Sequence, residues 1–142
     1  MDKSLLDTDT LSEVNKAFDV GLVARAGDYL AQFQSFTFSS ITIMEVVRGY
    51  HLAGRSEKLA EFLNGLAGQE ILGFVQSTAE LAGKIDADLQ RTGQPIGRAD
   101  PMIAATAIVH DLLLITGNTS HFNRFVMLGY PLRLDNWRTI VS

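Results

Sequence analysis

The chain contains no cysteine. That excludes disulfides, thiolate zinc sites and a cysteine nucleophile, and it fits the reducing cytoplasm expected as its compartment. No apolar run approaches the roughly 20 residues needed to cross a bilayer, and the opening residues do not form a signal peptide, so no membrane association is expected. An excess of basic charge is also missing: 12 Lys and Arg stand against 16 Asp and Glu, for a formal charge of −4. Proteins that hold nucleic acid by bulk electrostatics are usually basic, because neutralised phosphates supply much of the affinity. Any such role here must rest on a local basic patch, bound cations or a basic partner. No internal repeat, low-complexity tract or Pro/Ser-rich linker interrupts the chain, so residues 1–142 read as a single domain.

What is present is enough to build a core. The 142 residues are 46% hydrophobic and 20% charged, the balance of a globular rather than a disordered chain. Residues 3–7 (KSLLD) are a short apolar run closed by polar residues, which predicts a buried strand. Over 22–33 the apolar positions Leu22, Val23, Ala26, Tyr29, Leu30 and Phe33 recur at helical spacing. Residues 36–41 alternate as a strand, and 42–52 predict a helix that Gly54 can end. A second amphipathic helix is expected over 56–66, a strand over 70–75 and a helix over 77–91. Gly93, Pro95 and Gly97 break the pattern before an alanine-rich helix over 101–110. Residues 112–116 (LLLIT) are the most strand-like run, and 131–135 form a short final strand. Strands alternating with helices, with few hairpin signals, predict a three-layer α/β domain with a mainly parallel, doubly wound sheet of about five strands.

In such sheets ligands bind in the crevice beyond the carboxyl ends of the strands. Asp7, Thr8 and Asp9 follow the first strand, Glu45 lies in the first turn of the helix after the second, Asp100 opens the alanine-rich helix, and Thr116, Gly117 and Asn118 follow the fourth strand. Neighbouring parallel strands can gather these groups. Carboxylates about 4 Å apart repel by roughly 4 kcal/mol at an effective dielectric near 20, so a cluster needs a shared proton or a cation. Carboxylate and amide oxygens are hard donors, suited to Mg²⁺ or Mn²⁺. Each residue also has a local explanation. Asp100 before Pro101 is a common helix start, and Thr42 with Glu45 has the spacing of a capping box. Asp7 can close an Asx-turn and Asn118 can form a turn, while Asp9 and Ser12 compete to cap the helix that follows. His51, His110 and His121 share no metal-ligand spacing and read as surface or packing residues. Asp86 and Asp88 read as a solvated helix face, and Phe122, Phe125 and Trp137 as core or dimer contacts.

Taken together, these segments resemble the PIN-domain ribonucleases of the VapC toxin type. LLDTD (5–9) is similar to the family's opening motif, and Glu45 in TIMEVVRGY resembles its second acidic position. IGRADPMIAATAIVHDLLLITGNTSHF (96–122) resembles the longest VapC signature, and LRLDNW (132–137) the usual C-terminal segment. The resemblance runs from residue 5 to 137, with 96–122 its specific part. It implies a doubly wound sheet, a homodimer, and a Mg²⁺- or Mn²⁺-dependent endoribonuclease acting on RNA such as tRNA and neutralised by a VapB-like antitoxin. By position it makes Asp7 and Asp100 the principal metal ligands, with Glu45 completing the acidic site directly or through water. Asn118 falls where many members carry a fourth Asp, which leaves one charge fewer and bears on a second metal. Arg48, Lys84, Arg91 and Arg98 are candidate rim cations for RNA.

Two other readings compete. Asp7-Thr8-Asp9 after an apolar strand also resembles the opening of haloacid-dehalogenase-like phosphatases, with Asp7 as nucleophile and Asp9 as general acid. The later Lys and paired Asp of such enzymes are missing, since the last lysine is Lys84. A receiver-like domain lacks its acceptor Asp after the third strand. A catalytically inactive PIN binding module stays open because of Asn118.

Overall fold

The computed structural model of the chain describes residues 1–94 and 97–139; Pro95 and Ile96, which belong to the expected break and to the signature segment, lie outside the described residues. Five short strands alternate with helices: β1 (Ser4–Leu6), α1 (Thr8–Lys16), α2 (Val20–Phe33), β2 (Thr37–Ser39), α3 (Ser40–Leu52), α4 (Ser56–Gly65), β3 (Glu70–Leu72), α5 (Gln76–Arg91), α6 (Ala99–Val109), β4 (Leu113–Ile115), α7 (Thr119–Met127) and β5 (Leu134–Asp135). All strand pairs are parallel. They form two ladders, β1-β4-β5 and β2-β3, and β2 lies beside β1. The spatial order is therefore β3, β2, β1, β4, β5, with the direction of winding reversing between β1 and β4. That is the doubly wound arrangement expected, although the sheet is divided between two ladders.

Two adjacent leucines show why the chain forms three layers. Successive side chains of a strand point to opposite faces. Leu5 and Leu114 face one core with Ile85, Leu89, Ile103 and Phe122. Leu6 and Ile115 face a second core with Leu22, Tyr29, Phe38 and Trp137. Continuous apolar strands thus serve two buried faces, as parallel sheets require. Each fully buried Leu or Phe contributes about 1.5–3 kcal/mol of transfer free energy. Phe122, Phe125 and Trp137 are core residues.

Tyr29 fixes α2 to β1. Its ring is buried, its hydroxyl accepts a bond from Ser4 N at 3.1 Å, and it lies 3.3 Å from Ser4 O as donor. The same ring packs against Trp137, centroid to centroid at 5.5 Å, which seats the C-terminal segment on this core. Gly54, with φ +68°, follows the end of α3, where a left-handed residue is favourable only for glycine.

Several local expectations are corrected. Asp7, not Asp9 or Ser12, caps α1, accepting from Thr8 N. Ser39 caps α3 through Ile41 N, so Glu45 lies in the second turn and makes no capping box with Thr42. α6 begins at Ala99 with Arg98 in the cap position and no side-chain cap bond; Asp100 is inside the first turn. The final strand shortens from 131–135 to Leu134–Asp135. α7 was not expected as a helix. Asp88 is not simply solvated: it accepts a short hydrogen bond from the Tyr130 hydroxyl and pairs with Arg91 at 2.8 Å.

Candidate active site

The crevice sits where β1 and β4 end side by side. The ladder continues one step past the strands, with Asp7 N donating to Ile115 O at 2.9 Å. This places Asp7 directly beside Thr116. The Thr116 hydroxyl donates to Asp7 Oδ2 at 2.9 Å, and Thr8 N donates to Asp7 Oδ1 at 2.8 Å. Asp7 is 7% exposed and Thr116 is fully buried.

Burial is the main force on this carboxyl. It pushes the Asp7 pKa up to about 7, with the charge of Asp9 adding to the rise, the Thr116 hydroxyl and Thr8 amide opposing it, and Asp100 raising it further. A carboxylate held away from water beside two others is stabilised by whatever positive charge enters the crevice. The fold therefore brings Asp9 and Asp100 each within electrostatic reach of Asp7.

Glu45 joins through a threonine. Thr8 Oγ1 donates to Glu45 Oε1 at 2.6 Å and lies 3.1 Å from Thr42 Oγ1, whose side chain is buried. The residue that gives its amide to Asp7 thus gives its hydroxyl to Glu45. Asp9 turns toward the opposite strand: its Oδ2 accepts from Gly117 N at 3.2 Å and pairs with Arg138 at 3.5 Å, which also reaches Glu13 at 3.5 Å. The Arg138 guanidinium lies over Gly117 so closely that a Cβ there would fall 1.7 Å from Nη1. A side chain at this position would displace the guanidinium, the mobile end of Arg138, from its place over Gly117.

Asp100 is held by a chain of two side chains on α7. His121 Nε2 lies 2.7 Å from Asp100 Oδ2, and Arg124 contacts His121 Nδ1 through a short hydrogen bond. A guanidinium only donates. Nδ1 must therefore accept, and Nε2 must carry the proton that His121 donates to Asp100. Arg124 Nε also donates to the His121 carbonyl at 3.2 Å. His121, read from the sequence as a surface or packing residue, contacts the candidate site through Asp100. The signal was the i, i+3 pair His121 and Arg124, which carries meaning only once α7 is known to be a helix.

Asn118 occupies the cap position of α7 without a side-chain cap bond. Its backbone N–H donates to Thr116 Oγ1 at 3.0 Å, and the residue is exposed at the mouth of the crevice. Of the candidate rim cations, Arg91 is tied to Asp88, and Arg48, Lys84 and Arg98 are exposed.

Among the described residues, no three His, Asp or Glu side chains converge into a closed cage for a metal ion. Asp100 Oδ1 accepts no hydrogen bond from the described residues, and Asp7 keeps free lone pairs on both oxygens. The donor set is hard, anionic and open. Mg²⁺ suits such a set, since it keeps several waters and is bound through one or two carboxylates.

Fold and crevice together define a doubly wound α/β domain with an acidic centre at its switch point. The sequence model of the PIN domain family matches residues 5–126, and the chain belongs to that family. The phosphatase reading of Asp7 and Asp9 gives way to this match. Among its relatives, the tRNA(fMet)-specific endonuclease VapC of Shigella flexneri is 33% identical over 100 residues, covering 70% of this chain and 73% of the relative. Ribonuclease VapC2 of Haemophilus influenzae is 30% identical over 95% of this chain and 98% of its own length. Among solved structures, the DNA-bound VapBC complex of Salmonella typhimurium superposes with a TM-score of 0.79 at 29% identity, over 96% of this chain and 99% of that one. Among the described residues no helix is long and apolar enough to cross a membrane.

Proposed function

We propose that this chain is a divalent-metal-dependent endoribonuclease, the VapC-like toxin of a type II toxin–antitoxin pair, neutralised by a VapB-like antitoxin. One observation carries the reading most: Asp7, buried at the switch point of the sheet, shares its electrostatic surroundings with Asp9 and Asp100. Relatives named as ribonucleases over most of the chain's length support the reaction class, and the likeness to a VapBC complex supports the partner.

Asp7 and Asp100 would hold a Mg²⁺ or Mn²⁺ ion, with Glu45 acting directly or through water. When bound, the ion supplies an activated water and neutralises charge on the phosphodiester being cleaved. The protein's own work is positioning. The Thr116 hydroxyl and Thr8 amide fix both Asp7 oxygens, and the Thr8 hydroxyl fixes Glu45. His121 holds Asp100 Oδ2, which would leave Oδ1 for the ion. Arg138 neutralises Asp9 and Glu13, which limits the negative field that an RNA phosphate meets. The exposed Asn118 amide would orient water or a phosphate oxygen, in place of a further carboxylate. A homodimer acting in the cytoplasm is part of the same proposal.

The test is cleavage of total tRNA by chain purified free of antitoxin, with Mg²⁺, Mn²⁺ or EDTA, beside a folded Asp7→Ala/Asp100→Ala variant. Discrete fragments that need metal and both carboxylates support the reading. Intact RNA under every condition counts against it and leaves a binding module.

A further inference from the structure

A cleft of about 590 Å³ opens from the acidic centre between α1 and the corner joining α3 to α4. Its lining includes Thr8 and Glu45, which belong to the centre, and three cations, Lys16, Arg55 and Lys58. Two aromatic residues, Phe18 and Tyr50, lie among them. Resting on the ribonuclease reading, we propose that this cleft is the track along which a single-stranded segment of RNA reaches the acidic centre. Lys16, Arg55 and Lys58 would take its phosphates, and Phe18 would stack a base.

Charge distribution supports the assignment. The chain as a whole is acidic, with a formal charge of −4. Most cations outside the cleft are committed: Lys3, Arg25, Arg91, Arg133 and Arg138 each pair with a carboxylate, and Arg124 is bonded to His121. Among the described residues, Arg48, Lys84 and Arg98 are also in no ion pair but do not line the cleft, whereas Lys16, Arg55 and Lys58 are unpaired, exposed and share this one lining. Unpaired cations gathered in one cleft of an acidic protein provide the local phosphate-binding surface that bulk charge does not.

Phe18 is a second feature of the same cleft. It is 83% exposed, so its ring face is open to a stacking base. Ala17, at the end of α1, is left-handed with φ 58°, and this turn carries Phe18 out of the α1 packing. Cationic grooves with aromatic faces bind single strands without strong sequence preference, because every base offers a π-face. The Thr8–Glu45 hydrogen bond lies at the inner end of the cleft, so a strand seated on the cations has a phosphate at the centre. An adjoining cavity of about 260 Å³ is bordered by Leu11, Phe36, Phe38, Phe62 and Leu66; the three cations of the larger cleft favour a phosphate backbone there over an apolar peptide.

The experiment measures anisotropy of a fluorescein-labelled single-stranded oligoribonucleotide of mixed sequence, with antitoxin-free chain in EDTA across a salt series. A Lys16→Ala/Arg55→Ala/Lys58→Ala variant is compared with Lys3→Ala/Arg25→Ala/Arg133→Ala, which makes the same change in charge outside the cleft. The cleft variant is expected to bind at least tenfold more weakly and to lose about 2 from the log–log salt slope, at roughly 0.7 per phosphate contact. The control variant should stay within about twofold. Phe18→Ala should weaken binding about fivefold or more, and Phe18→Trp should retain it with fluorescence quenched by RNA. Equal losses in both triple variants, or wild-type affinity in the cleft variant, would overturn the proposal. So would unchanged RNA affinity with loss of co-purification with a co-expressed VapB-like antitoxin, which would assign the cleft to a protein partner. If the cleft variant cleaves total tRNA as fast as wild type, the track fails while the ribonuclease reading stands. If wild-type chain neither binds nor cleaves RNA, both fail.

Discussion

The Thr116 hydroxyl donates to Asp7 Oδ2 at 2.9 Å across 109 residues of sequence. Two neighbouring parallel strands end together, and a threonine on one stabilises the charged form of a buried aspartate on the other. This bond is the largest influence that lowers the Asp7 pKa against the rise caused by burial. Thr116→Val removes the donor, so Asp7 should hold its proton to higher pH. The acidic limb of the cleavage-rate profile should move to higher pH in Thr116→Val and stay in place in Thr116→Ser. An unmoved limb in the valine variant, with metal-dependent cleavage retained, would show that this bond does not tune Asp7.

Asp7 should also impose a pH dependence on the stability of metal-free chain. Its folded pKa, about 7, lies above the ordinary 3.8, so ionisation costs more in the folded state. The stability linked to its neutral form is fully present below about pH 4 and is lost as pH rises through 7. In EDTA, Asp7→Asn should therefore be more stable than wild type at pH 8 by about 2–4 kcal/mol, at 1.36 kcal/mol per pH unit. The difference should shrink toward pH 4. Urea unfolding at both pH values measures it, and a variant less stable than wild type at pH 8 contradicts the assigned environment.

A divalent ion should reverse that cost. Mg²⁺ or Mn²⁺ that binds the folded crevice raises the melting temperature by mass action, and it competes with the proton on Asp7. The shift should be larger at pH 8 than at pH 5.5 and absent from Asp7→Ala/Asp100→Ala. Differential scanning fluorimetry shows whether it is.

The His121–Asp100 contact makes a separate prediction. Loss of a side chain that orients a metal-binding carboxylate typically costs 10- to 100-fold in affinity or activity. His121→Ala should weaken Mn²⁺ binding, read by calorimetry, within that range. Arg124→Gln should do so less, since it leaves the His121 ring in place but no longer dictates its tautomer. Wild-type Mn²⁺ affinity in His121→Ala would remove His121 from the site.

Much of the fold was legible in the sequence, because continuous apolar strands and helical periodicity are local signals. The α2, α3, α5 and α6 segments and all five strands fall close to where the pattern put them. The limits of local reading show at α1. Asp7, Asp9 and Ser12 are all competent caps, and only the neighbour across the sheet, Thr116, selects the conformation in which Asp7 serves. Glu45 and Asp100 show the same limit. Capping rules assign each a local partner, yet the folded chain gives them Thr8 and His121, which lie 37 and 21 residues away. Asp7, Asp100, Glu45 and Asn118 could be named from motif order, whereas His121, Arg124 and Arg138 act through contacts that no spacing announces. The division of the sheet into two ladders depends on backbone pairing between β1 and β2, for which side-chain pattern gives no sign.

The account's central claim is that the crevice holding Asp7 and Asp100 cleaves RNA with a divalent ion. Its most direct test is the single-turnover cleavage rate of end-labelled tRNA by antitoxin-free chain as Mn²⁺ is raised from zero. The account predicts a saturable rise from no detectable cleavage, abolished by EDTA and absent from folded Asp7→Ala/Asp100→Ala at every Mn²⁺ concentration. Cleavage that persists in EDTA, or that survives loss of both carboxylates, would contradict it.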